Sequence, residues 1–113
     1  MKLNSKEEIL AAKKDKAIEM IKENFENSDA WVCRAVVRIY GLQTEDEQMA
    51  QTTKENNGVG FNGVDARFLS SLALQIQENE RTKKFASNLS PKQMQLAREK
   101  IKKYAKQILT LIN

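Results

Sequence analysis

The sequence predicts an all-α fold, a compact bundle of four to five helices, on three observations. First, helix start signals recur. Ser5-Lys6-Glu7-Glu8, Thr44-Glu45-Asp46-Glu47 and Ser90-Pro91-Lys92-Gln93 each set a hydroxyl cap three positions before Glu or Gln. In such a capping box the two side chains satisfy each other's orphan backbone amides. Second, apolar residues follow these signals at i, i+3, i+4 spacing, and no alternating strand pattern of useful length is present. Third, the single proline stands at a helix start, where its missing N–H does no harm. At 113 residues the chain has the length of one helical domain, residues 1–113, with one core.

The elements follow in order. After Ser5, the residues Leu10, Ala17, Ile18, Ile21 and Phe25 keep helical spacing and predict one amphipathic helix over about 6 to 25. Asn27 or Ser28 caps the second helix, whose apolar face is Trp31, Val32, Ala35, Val36 and Ile39; Arg34 and Arg38 project from its opposite side. Gly41-Leu42 predicts a left-handed C-terminal stop. Thr44 opens a short polar third helix, and residues 54 to 62 read as a loop. Asn62 caps a fourth helix, with Asp65 in its first turn and Val64, Phe68, Leu69, Leu72, Ala73 and Ile76 as its core face. Residues 79 to 89 read as a polar, basic connector interrupted by Phe85. In the last helix Leu89 and Met94 fit a hydrophobic staple, and Met94, Ala97, Ile101, Ala105, Ile108 and Ile112 form its stripe.

Composition narrows the chemistry. The chain holds no histidine, which removes the commonest general base and zinc ligand and makes a Ser-His-Asp or Cys-His arrangement impossible within it. Cys33 is alone and lies in an apolar stretch, so it has no internal disulfide partner and is expected to pack in the core. Glu45, Asp46 and Glu47 are consecutive; on a helix they diverge by about 100° each and do not converge on a metal. No cofactor is expected, and the enzyme reading is disfavoured. No apolar run reaches the roughly 18 residues of a membrane span, and the N-terminus enters a charged helix without a hydrophobic signal core. A reducing, cytoplasmic location is the expectation.

Charge is divided unevenly. After Glu80 the chain carries nine Lys/Arg and one acid; up to Glu80 it carries ten and fourteen, a split of +8 and −4 within the formal +4. In the last helix Arg98, Lys102 and Lys106 recur at i, i+4, i+8 to form one ridge, with Lys103 and Lys92 further round the same side. Such a ridge suits phosphates, each contact releasing counterions. It equally suits a solvated face near a helix C-terminus, with Glu99 pairing to Lys103. Trp31 beside Arg34 and Arg38 is a second constellation: an aromatic with arginines stacks bases and holds phosphates, or Trp31 is core and the arginines pair with Glu45, Asp46 or Glu47. Tyr104 flanks the last stripe. Gly58-Val59-Gly60-Phe61-Asn62-Gly63 matches G-x-G-x-x-G, but no strand feeds it, so a demanding turn with Phe61 in the core fits better than a dinucleotide loop.

Gln43-Thr44-Glu45-Asp46-Glu47-Gln48, Asn57-Gly58-Val59-Gly60-Phe61, Asp65-Ala66-Arg67-Phe68-Leu69 and Leu89-Ser90-Pro91-Lys92-Gln93 occur in that order. Together with Arg98-Glu99-Lys100-Ile101-Lys102-Lys103-Tyr104, they resemble a module of small uncharacterised phage and mobile-element proteins. Similar segments are appended to helicase-like proteins. The resemblance spans about residues 30 to 110, departs in its longer connector at 79 to 89, and carries no established ligand residues. Taken with the basic last helix, the resemblance points to a non-enzymatic helical module associating with nucleic acid, single-stranded or without sequence preference, through that C-terminal helix. On that reading Arg98, Lys102, Lys103 and Lys106 are the main contacts, and Lys92, Arg34, Arg38 and Trp31 are secondary. The alternative is a protein-binding module, such as a phage-encoded modulator of a host nuclease or replication protein, docking through exposed apolar residues such as Leu96 on an acidic or apolar-groove partner. Self-association through apolar helix faces stays open.

Overall fold

A computed structural model describes residues 3–42 and 61–112. The described residues form α1 (Lys6–Ala11), α2 (Lys14–Asn27), α3 (Asp29–Tyr40), α4 (Ala66–Thr82) and α5 (Pro91–Ile101). A 3₁₀ turn over Lys102–Tyr104 then leads into α6 (Ala105–Ile112). No strand occurs among the described residues; the fold is an all-α bundle. The expected third helix and most of the 54–62 loop lie outside the described residues. Helix α3 is central: it packs against α4 on one flank and α5 on another, while α2 packs on α6 and α1 folds back on α2. Phe25, Ile21, Val32, Val36, Ile39, Leu69, Ala73 and Ile101 are fully enclosed between them.

The first helix is two helices, not one over 6–25. It breaks at Ala12, whose backbone is extended. The reason lies in Ile9, fully buried, against Leu10, which is 39% exposed. In an unbroken helix Ile9 would sit about 120° from Ile21, off the core stripe. Breaking the helix lets α1 turn back so that Ile9 faces the core. Asn24, fully buried on α2, fixes that turn. Its Oδ1 accepts from Asn4 N–H at 2.9 Å, its Nδ2 donates to the Asn4 carbonyl at 2.9 Å, and Asn4 Nδ2 donates to the Met20 carbonyl at 3.0 Å.

Caps match the sequence signals at three places. Ser5 and Ser90 form full capping boxes, with Pro91 opening α5, and Ser28 caps α3 by accepting from Trp31 N–H at 3.2 Å. Asn62 Oδ1 accepts from Asp65 N–H at 2.9 Å, one turn ahead of α4.

Other expectations are corrected. Gly41 is right-handed (φ −65°), because its N–H simply continues the helix to the Val37 carbonyl at 3.1 Å. Lys83 instead adopts the left-handed conformation, φ 58°, at the end of α4. Val64 is 88% exposed and belongs to the turn before α4, so it is absent from the core face, while Leu69, Leu72, Ala73 and Ile76 are buried as expected. The connector begins only after Thr82: residues 79–82 are helical, since Asn79 is buried and ties the segment that follows. Its Nδ2 donates to the Phe85 carbonyl at 3.2 Å and to Asn88 Oδ1 at 2.8 Å, and its Oδ1 accepts from Phe85 N–H at 2.8 Å.

The last helix is interrupted by the 3₁₀ turn. At three residues per turn Tyr104 eclipses Ile101, whereas in a continuous α-helix it would stand about 60° aside. Tyr104 is accordingly buried, as is Ile101.

Candidate nucleic-acid interface

Two groups of cations were candidates, and the fold treats them differently. On the last helix, Arg98 Nε donates to the Phe25 carbonyl at 2.7 Å and Nη2 forms an ion pair with Asp29. Phe25 lies in the last turn of α2, whose carbonyls lack helical partners. Lys102, one turn on, pairs with Glu26. The Arg98–Lys102 part of the ridge therefore faces the α2–α3 corner, where Glu26 and Asp29 present a matching i, i+3 acidic pair. Lys103 pairs not with Glu99 but with Asp65, at 2.6 Å. Lys106 and Lys92 are exposed and form no ion pair among the described residues.

On α3, Trp31 is partly buried and meets the enclosed Phe25 ring edge-on, with centroids 6.2 Å apart at 66°. Arg34 and Arg38 are exposed, and neither forms an ion pair among the described residues. Their expected acidic partners, Glu45, Asp46 and Glu47, lie outside the described residues. Trp31, Arg34 and Arg38 line a groove of about 320 Å³ between α3 and α6. Its other walls are Ala35, Ile108, Leu111 and Ile112, and Lys6 reaches it from α1. The stripe residues Ile108 and Ile112 thus serve both core and groove. On the far side of the two arginines a recess of about 220 Å³ includes Cys33, Val37, Glu80 and Asn88. A wider groove of about 880 Å³ runs between the start of α3, the connector and α5, with Asp29, Phe85 and Gln93 on its walls.

Sequence reasoning missed three contributors. Lys6 carried no signal because its distance from Trp31 depends on α1 folding back. Asp65 and Lys100 are the other two, and they meet in a junction at the α4 start. The Asp65 side chain is fully enclosed, accepting from Tyr104 Oη at 2.8 Å and pairing with Lys103 at 2.6 Å and Lys100 at 3.5 Å. Tyr104 Oη in turn accepts from Asn62 N–H at 3.1 Å, and its ring meets Phe61 edge-on at 5.6 Å. Burial pushes the Asp65 carboxyl upward, but the hydrogen bonds from Lys103 and Tyr104 and the two ammonium charges outweigh it, so its pKa is lowered. Burial, with the neighbouring Asp65 carboxylate, pushes the Tyr104 phenol far up. Phe61 is buried, as its place in the glycine loop suggested. Burial likewise raises the Cys33 thiol, whose side chain is enclosed in the core.

Among the described residues no three His, Cys, Asp or Glu side chains gather as a metal site. No described helix is long and apolar enough to cross a membrane. Comparison with protein-family models, curated proteins and solved structures finds no match to this chain.

Proposed function

We propose that the protein is a non-enzymatic helical module that associates with nucleic acid, single-stranded or without sequence preference, through α3 rather than through the last helix. The observation that carries this reading is the partition of cations. Arg34 and Arg38 form no ion pair among the described residues and stand on α3 beside Trp31, with Lys6 across the groove, while Arg98, Lys102 and Lys103 are paired with Asp29, Glu26 and Asp65. An exposed guanidinium pair next to an anchored indole offers both a phosphate clamp and a stacking partner. Lys106 and Lys92 add positive field from the last helix. The resemblance to phage and mobile-element segments appended to helicase-like proteins fits a partner that is already near DNA or RNA. The lone reduced Cys33 fits a cytoplasmic setting.

Fluorescence anisotropy with labelled single- and double-stranded oligonucleotides at two salt concentrations tests the reading. With three phosphate contacts, log K is expected to fall with log salt at a slope of about −2 for single strands, and Arg34→Ala with Arg38→Ala flattens it to about −0.7. Absence of binding at about 50 mM salt, where phosphate contacts are strongest, refutes it.

A protein partner is the second reading, favoured by Phe85, which is 64% exposed at the wall of the 880 Å³ groove, and by Leu96, 37% exposed on α5. It predicts association that survives salt and nuclease treatment.

A further inference from the structure

We infer that the groove between α3 and α6 is a mononucleotide site: one base enters against Trp31, and its phosphate is held by Arg34 and Arg38. This rests on the reading that α3 meets nucleic acid, and it names the unit recognised.

Charge singles out this groove among the three. Among the described residues its walls carry three cationic side chains and no carboxylate, whereas the 220 Å³ recess, which shares Arg34 and Arg38, also contains Glu80, and the 880 Å³ groove contains Asp29. Field lines from Lys6, Arg34 and Arg38 converge where the walls are apolar and of low dielectric, which concentrates anions there. Size narrows the ligand further. A volume of about 320 Å³ lies at the low end of the roughly 300–1,000 Å³ range of small-molecule sites. It holds one planar group with its sugar, not the face of a partner helix, whose diameter is about 10 Å.

The walls suit a base. Ile108, Leu111 and Ile112 supply an apolar surface on one side. On the other, the indole of Trp31 is anchored by the enclosed Phe25, so stacking a base on it orders little that is not already ordered. Arg34 and Arg38 are one helical turn apart, about 6 Å along the axis, close enough for both guanidiniums to bond one phosphate group. A base reaches such a groove only when it is unpaired and unstacked, so preference for single strands follows.

Trp31 is the sole tryptophan of the chain and reports on its own site. The experiment titrates the full chain with AMP, with adenosine and inorganic phosphate as separate arms. It follows indole emission excited at the red edge, where adenine does not absorb. AMP is expected to change the emission saturably and to bind at least about tenfold more tightly than either adenosine or phosphate, since it makes both contacts. Arg34→Ala with Arg38→Ala, both on exposed positions and checked for folding by circular dichroism, is expected to raise the AMP Kd roughly tenfold. Phosphate binding as tightly as AMP overturns the base pocket. So does an AMP titration without saturable change while a labelled oligonucleotide still binds through Arg34 and Arg38; that outcome leaves the proposed function standing. If neither AMP nor oligonucleotide binds, both fall together.

Discussion

Replacing Asp65 by Asn probes the one buried carboxylate among the described residues. The substitution keeps shape and one carbonyl acceptor, so Tyr104 Oη retains a partner, but the charge facing Lys103 at 2.6 Å and Lys100 at 3.5 Å is lost. Hydrogen bonds to a charged group are worth about 1.5–3 kcal/mol each. The lysine contacts fall at or below the low end, because the Lys103 and Lys100 side chains are 50% and 36% exposed and turn to water when released. The phenol hydrogen bond, fully buried, weakens from charge-assisted to neutral at a cost of about 1 kcal/mol. Asp65→Asn is therefore expected to destabilise by about 2–3 kcal/mol at pH 7. With a urea slope of about 1.5 kcal/mol/M, the midpoint falls by about 1.3–2 M.

The pH dependence has a definite sign. The folded pKa of Asp65 is depressed below the unfolded value of about 3.9, so its contribution is fully present above that value and is lost as pH falls through the folded one. Urea unfolding of both proteins is expected to show a gap that is constant from pH 7 to about 5 and closes below about 4. A gap smaller than about 0.5 kcal/mol at pH 7, or one that widens in acid, refutes this account of Asp65.

Three further outcomes are expected. Asn24→Ala removes the buried clamp on Asn4 and costs about 1–3 kcal/mol, with faster amide hydrogen exchange through α1 as the local readout. Lys83→Gly relieves the left-handed conformation at the end of α4 and raises the unfolding free energy by about 0.5–1 kcal/mol, measured in urea. Ser90→Ala breaks the α5 capping box and costs about 1 kcal/mol in the same assay.

Local chemistry was legible in the sequence wherever the information is local. The Ser5, Ser28 and Ser90 caps and the stripe Ala97–Ile101–Ala105–Ile108 depend on residues within one or two turns of each other, and they stand as read, whereas Asn62 bonds only the turn before α4, whose N-cap is Asp65. What failed depends on tertiary contact. The break at Ala12 is set by Ile9 and Asn24 competing with helix continuity, and periodicity alone favoured Leu10. Asn79 in α4 reads as a polar connector residue until Phe85 and Asn88 are seen around it. Asp65 looks like a routine first-turn acid because its partners lie 35 to 39 positions away. The ridge shows the same limit: Arg98 and Lys102 do share a face, but spacing reveals neither the 3₁₀ turn before Lys106 nor that Glu26 and Asp29 sit opposite the first two. Trp31, Arg34 and Arg38 could be grouped from the sequence because they share one helix; Lys6 could not, because it reaches the same groove from another.

That difference between the two basic surfaces makes a paired prediction. Arg98 is 23% exposed and bonds a carbonyl at the end of α2, while its partner Asp29 is 70% exposed. The carbonyl bond is worth about 1 kcal/mol and the exposed ion pair less. With Lys102 and Glu26 also part-exposed, Arg98→Ala plus Lys102→Ala is expected to cost about 1.5–2.5 kcal/mol of stability. Its effect on oligonucleotide affinity is expected to stay within about threefold. Those charges are already neutralised, and what remains of their field is screened beyond about 8 Å at 0.15 M salt. Arg34→Ala plus Arg38→Ala reverses the pattern: stability stays within about 0.5 kcal/mol, since both side chains are exposed and form no ion pair among the described residues, and affinity drops by about tenfold or more. Urea unfolding and anisotropy on the same two variants separate the surfaces. If the Arg98/Lys102 variant loses affinity as steeply as the Arg34/Arg38 variant at 0.15 M salt, phosphate displaces Glu26 and Asp29 from the ridge, and the interface belongs on the last helix after all.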